Sequence, residues 1–216
     1  MLNQKGFDKW SGEYDETIKN SKGYPFEGYY DVLGYIQGKV NAKKDQPVKV
    51  MDIGIGTGSL SLELYKQGAE IVGVDFSEEM LKQARKKMPE ARFYQQDLTR
   101  GMPETLKGER FDYIISSYAL HHLRNSQKLN LFQELMGFLR DNGEILIADV
   151  AFESSEALEA CRAEAGDKWD NEEFYMIGGK MVAELEKKEL TAAYRQISFC
   201  AGVLHISEEK LVDVEE

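Results

Sequence analysis

From residue 48 to residue 150, short runs of β-branched residues alternate with stretches of helical periodicity. This alternation constrains the fold more than any other feature, because strands separated by helices of about 10–15 residues pair in parallel through right-handed crossovers. Strands are expected at 48–53, 70–75, 92–96, 111–116 and 144–150. Leu60 and Leu64 stand four apart, and Gly68 closes a helix over 60–67. Ser77 is placed to cap the next helix, whose apolar positions Met80, Leu81, Ala84 and Met88 keep the helical repeat until Pro89. Leu131, Leu135 and Leu139 mark a third helix over 127–139, closed by Asp141-Asn142-Gly143. Two further strands, 194–199 and 203–206, flank Cys200-Ala201-Gly202 and read as a hairpin. The expected fold is α/β: a doubly wound, mostly parallel, seven-stranded sheet ending in an antiparallel hairpin.

The 216 residues suit one domain with internal divisions: a helical cap over 1–45, a core over 46–152, a helical lid insert over 153–190 and the hairpin over 191–216. The cap is rich in aromatics. After Pro25, which fits a first helical turn, Phe26, Tyr29, Tyr30, Leu33 and Ile36 follow a helical spacing, with Tyr29, Leu33 and Ile36 on the face toward the sheet. In the insert, 155–165 reads as a helix, Asp170 with Glu173 as a capping box, and 181–190 as another helix, with Gly178-Gly179 as an interruption.

The net charge of −11 argues against a nucleic-acid or anionic-membrane partner, since both need clustered Lys and Arg. The basic run at 82–87 reads as the solvated face of its helix. Two cysteines, Cys161 and Cys200, are too few for a disulfide framework or a zinc cluster. No apolar run approaches the roughly 18 residues that span a bilayer, and the N-terminus has no signal-like core, so a cytoplasmic protein is expected.

Gly54, Gly56 and Gly58 fall where the first strand turns into a helix, at the sheet end where α/β proteins bind ligands. Their spacing is not the G-x-G-x-x-G of a dinucleotide site, and no G-K-[ST] of a phosphate loop follows. Asp52 lies on the same side of the strand as Gly54. A carboxylate there repels a diphosphate and favours a cationic ligand. Asp75 ends the second strand, and its carboxylate matches the vicinal hydroxyls of a ribose. Asp97 ends the third and can accept from an exocyclic adenine amine. Together these acids point to a phosphate-free, positively charged nucleoside.

V-M-D-I-G-I-G-T-G, V-G-V-D-F-S, Q-Q-D-L and F-D-Y-I-I-S-S-Y-A-L-H-H-L, in this order, resemble the motifs of class I S-adenosylmethionine-dependent methyltransferases over residues 45–150. The opening F-D-K-W-S-G-E-Y-D resembles small bacterial members with an N-terminal helical cap. The resemblance implies a Rossmann-like methyltransferase fold and S-adenosyl-L-methionine as cofactor. By the same resemblance Gly54 and Gly56 would line the methionine part, Phe76 and Met80 would flank the adenine, and Leu98 would give a backbone contact beside Asp97. Ser116 would offer its carbonyl to the α-amino group, and Tyr14 would close over the methionine moiety.

His121 and His122, just after the fourth strand, are the candidates for a general base, with at most one facing substrate because neighbours point apart. No acidic or cysteine partner lies at ligand spacing in the sequence, so no metal is expected. The Asn/Asp-Pro-Pro-aromatic and Pro-Cys motifs of DNA methyltransferases are absent, which leaves a small-molecule acceptor. The alternatives are an NAD(P)-dependent oxidoreductase and a non-catalytic S-adenosylmethionine-binding protein. Oligomeric state is not legible.

Overall fold

The computed structural model describes residues 23–41 and 47–208. The elements in chain order are α1 (Tyr29–Asn41), β1 (Lys49–Ile53), α2 (Ser61–Lys66), β2 (Glu70–Asp75), α3 (Glu78–Lys87), β3 (Arg92–Gln95), β4 (Phe111–Ser117), α4 (Asn125–Met136), β5 (Leu139–Phe152), α5 (Ser155–Ala165), β6 (Met176–Ile177), α6 (Gly178–Glu186), β7 (Thr191–Gln196) and β8 (Ala201–Ser207). The sheet runs β3-β2-β1-β4-β5-β8-β7, parallel from β3 to β5 and antiparallel through β8 and β7. The two-residue β6 adds an eighth strand to the expected seven, pairing with Ala151 and Phe152 at the end of β5.

Both faces of the sheet are covered, so its central strands are buried on both sides and read as continuous apolar runs rather than alternating ones. In β1, Val50 packs with α1, α2 and α3, while Met51 and Ile53 point to the opposite face, where α4 and α6 lie. Phe132 and Leu135 of α4 and Leu185 of α6 are fully buried there. Truncating such a phenylalanine to alanine costs about 3–5 kcal/mol. Ser77 caps α3 by accepting the Met80 N–H at 3.2 Å.

Several local expectations shift. The helix drawn over 127–139 stops at Met136, and Leu139 pairs with Phe111 of β4. Leu139 keeps the apolar period because strand and helix both deliver it to the same core. Pro25 lies in the turn before α1, not in its first helical turn, and Gly28 at φ +71° intervenes. Asp170 and Glu173 form no capping box: Asp170 accepts from the Glu172 N–H at 2.7 Å, and Glu173 points into the interior. Gly178-Gly179 begins α6 instead of interrupting a helix. Its reason is contact: a Cβ on Gly178 would lie 2.1 Å from the ring of Tyr194 on β7.

Candidate active site

The turn after β1 is spliced onto β2: Gly54 and Ile55 both donate to the Val74 carbonyl, at 2.7 and 3.1 Å. Gly54 has φ +70°, and a Cβ there would lie 2.3 Å from the Cβ of Ala119. Only glycine takes this backbone cheaply. It brings the turn after β1 against the turn after β4. Between them, at the carboxyl ends of the parallel strands, opens a cavity of about 560 Å³. That volume suits a small organic ligand.

One end of the cavity is lined by Gly54, Gly56, Asp75, Phe76, Met80, Asp97 and Leu98. Seven of the sequence-derived positions therefore share one wall. Asp75 is buried and organises it: Oδ2 accepts from the Gly56 N–H at 2.8 Å and Oδ1 from the Ser77 N–H at 2.9 Å. Asp97 is more open and turns Oδ1 to the N–H and hydroxyl of Thr99, at 2.9 and 2.7 Å. Ser116 is fully buried and donates its hydroxyl to the Ile53 carbonyl at 2.7 Å; the next residue, Ser117, is the one on the cavity wall. Tyr14 lies outside the described residues.

Asp52 is a correction. It is fully buried and does not line the cavity. Its Oδ2 accepts the Ser61 hydroxyl at 2.6 Å, while Oδ1 has no hydrogen-bond partner among the described residues. Burial, opposed by the Ser61 hydrogen bond and reinforced by the Asp75 charge, pushes its pKa up to about 7.

The other end is formed by Tyr29, Tyr118, Ala119, His122 and Leu123. Tyr118 holds φ +50°, an uncommon conformation for a bulky residue, and packs its ring 4.9 Å from that of Tyr29. The signal for Tyr118 in the sequence is its place directly after an apolar strand. His122 reaches the wall, whereas His121 is buried behind it. Burial and the neighbouring His121 charge lower the His122 pKa to about 4, so its imidazole is neutral near pH 7.

His121 belongs to an internal polar cluster. Its Nδ1 lies 2.5 Å from Oδ1 of Asp149, a buried acid inside the apolar run of β5. Burial depresses the His121 pKa, but the charge and hydrogen bond of Asp149, with Glu173, outweigh it and leave the pKa raised. Lys128 of α4 is also buried and donates to the Phe174 carbonyl. Burial, partly offset by Asp149 and Glu173, brings its pKa down to about 8. Glu173 supplies the acid that sequence spacing did not reveal: Oε1 stands 3.5 Å from His121 Nε2 and 4.0 Å from His122 Nδ1. Asp149 had a legible signal, a lone carboxylate in an apolar strand; Lys128 and Glu173 had none.

Residues 50–143 match the family model described as "Methyltransferase domain". An uncharacterized methyltransferase of Geobacillus thermodenitrificans (strain NG80-2) is 35% identical over 164 residues, covering 73% of each chain. One from Alkaliphilus oremlandii (strain OhILAs) is 34% identical over 153 residues, covering 69% of this chain and 68% of its own. The chain belongs to the class I S-adenosylmethionine-dependent methyltransferases. The fold agrees: magnesium protoporphyrin IX methyltransferase from Synechocystis PCC 6803, with bound S-adenosylhomocysteine, superposes with a TM-score of 0.71 at 21% identity, covering 94% of each chain. Membership disfavours the oxidoreductase alternative. No helix among the described residues is long and apolar enough to cross a membrane.

Proposed function

We propose that the protein transfers the methyl group of S-adenosylmethionine to a small-molecule acceptor that enters beside His122, Tyr118 and Tyr29. The observation that carries this reading is the division of one cavity. Strand-end carboxylates and loop backbone form one end; aromatic rings and an imidazole form the other. In this reading Gly54 and Gly56 hold the methionine part and Asp75 accepts from the ribose hydroxyls. Phe76 and Met80 flank the adenine, while Asp97 and the Leu98 backbone meet its polar edge. Ser117 takes the α-amino contact that the resemblance gave to Ser116. In this reading residues 153–190 close the acceptor end over the 46–152 core, beside Tyr29 of α1.

A sulfonium methyl is already activated, so the chain's task is to align the acceptor in line and exclude water. Alignment contributes up to about 7–11 kcal/mol in the best intramolecular cases. His122 is the member of the pair within reach of an acceptor, as a neutral hydrogen-bonding partner; proton removal adds about 10²–10⁴-fold when the acceptor must lose a proton. Thermal-shift titration tests the cofactor half: S-adenosylmethionine and S-adenosylhomocysteine should stabilise the protein, and stabilisation by NAD(H) alone would contradict it. A pool of candidate small molecules with a labelled methyl donor tests the acceptor half. Tight cofactor binding without transfer to any pool would favour the non-catalytic reading.

A further inference from the structure

We propose that His121, His122 and Glu173 bind one divalent first-row transition-metal ion just behind the cavity wall at His122. Glu173 lies far along the chain from the histidines, and main-chain contacts deliver it. The Phe174 N–H donates to the His121 carbonyl at 2.7 Å, and Lys128 clamps the Phe174 carbonyl from the other side. The ligating atoms of the three side chains all lie within 4.8 Å of one another, with Glu173 Oε1 at 3.5 and 4.0 Å from the two imidazoles. A tetrahedral ion with bonds of about 2.0–2.2 Å holds its ligands roughly 3.3–3.6 Å apart. Small side-chain movements reach that geometry.

Three observations point to an ion. His121 is pre-oriented: its Nδ1 meets Asp149 at 2.5 Å, which turns Nε2 toward Glu173. A carboxylate behind an imidazole fixes the tautomer of a ligating histidine and strengthens it as a donor. Glu173 is held as well, since Tyr175 donates its hydroxyl to Oε2 at 2.7 Å and leaves Oε1 to the histidines. Lastly, two imidazoles and one carboxylate form the donor set of zinc sites with an open position and of non-haem iron sites. His122 lines the cavity and its Nδ1, the atom turned toward Glu173, is buried, so the ion sits just behind the cavity wall and water completes its coordination. The ammonium of Lys128 works against a second cation nearby, so the affinity belongs below that of a closed structural zinc site.

The test uses the full chain, purified without chelator and titrated with Co²⁺ while its visible d–d absorption is recorded, followed by displacement with Zn²⁺ in a calorimeter. One Co²⁺ per chain with a low-symmetry, four- or five-coordinate spectrum, displaced by Zn²⁺, is expected. Glu173→Gln should weaken binding at least about tenfold, and Asp149→Asn, which removes the orienting carboxylate, by about 10–100-fold. S-adenosylhomocysteine binding in each variant serves as the control for folding. If Glu173→Gln does not fold, His122→Asn on the cavity wall repeats the measurement. Absence of binding to the wild-type chain at millimolar Co²⁺ and Zn²⁺, or binding unaltered in the folded ligand variants, overturns the proposal. Neither result depends on the methyl acceptor.

Discussion

The two ends of the cavity are built on different plans. At the glycine-loop end, consecutive strand ends supply the groups, and the main chain supplies much of the surface; Asp75 is fixed by two backbone N–H groups from its own neighbourhood. At the histidine end, side chains from segments distant in sequence meet: His121 after β4, Lys128 on α4, Asp149 on β5 and Glu173 ahead of β6. The first plan suits the nucleoside seat proposed for it, because a backbone surface varies little with side-chain identity. The second is assembled from individual residues in low dielectric, where each unpaired charge is expensive. Such an end can change its chemistry residue by residue while the seat stays constant.

The contrast can be broken directly at Lys128. Lys128→Met strips the Phe174 carbonyl of its side-chain donor and removes a charge that acts on Asp149 and Glu173 at longer range. A loss of about 1–3 kcal/mol in unfolding free energy is expected by denaturant titration, the usual cost of leaving a buried acceptor unsatisfied. Asp75→Ala strikes the other end: it should weaken S-adenosylhomocysteine by about 1.5–3 kcal/mol in calorimetry, and unchanged affinity would remove Asp75 from the ribose. His122→Asn separates the ends. Turnover with an identified acceptor should fall at least about tenfold while S-adenosylhomocysteine affinity holds; equal losses in both would mean that the ends are not independent. Asp97→Ala should have the smallest effect, about 0.5–1.5 kcal/mol in cofactor affinity, because Asp97 is half-exposed and shares its carboxylate with Thr99.

The same contrast explains what could be read from the sequence. β2 and the Ser77 cap were legible because period, cap and glycine signals all act within a few residues. Gly54, Gly56, Asp75 and Asp97 were legible because strand order and strand ends bring them together, while Phe76, Met80 and Leu98 came only with the family resemblance. Glu173 was misread as a capping residue, since an acid three positions after Asp170 carries the same local signal whether it caps a helix or points inward. Leu139 was misread because its apolar period suits both α4 and β5. Asp52 shows the limit of alternation arguments at strand ends: one residue of shift decides between cavity wall and core.

Asp52 has a further consequence, in its protons. Its folded pKa, about 7, is raised above the usual carboxylate value of 3.8. The folded chain therefore retains a proton that the unfolded chain has lost between those values. Its contribution to stability falls as pH rises from about 4 to about 7 and is level above that. Asp52→Asn, which can keep the Ser61 hydrogen bond, should flatten that slope in thermal unfolding. The methyl donor carries a sulfonium charge that the spent thioether lacks. An ionised Asp52 across the loop therefore favours the donor over the product, and a protonated one favours neither. From pH 6 to pH 8 the ratio of S-adenosylmethionine to S-adenosylhomocysteine affinity should rise, with protons released on donor binding, and Asp52→Asn should abolish both trends. A carboxylate that touches no ligand would thus make exchange of spent for fresh donor a proton-coupled event near neutral pH.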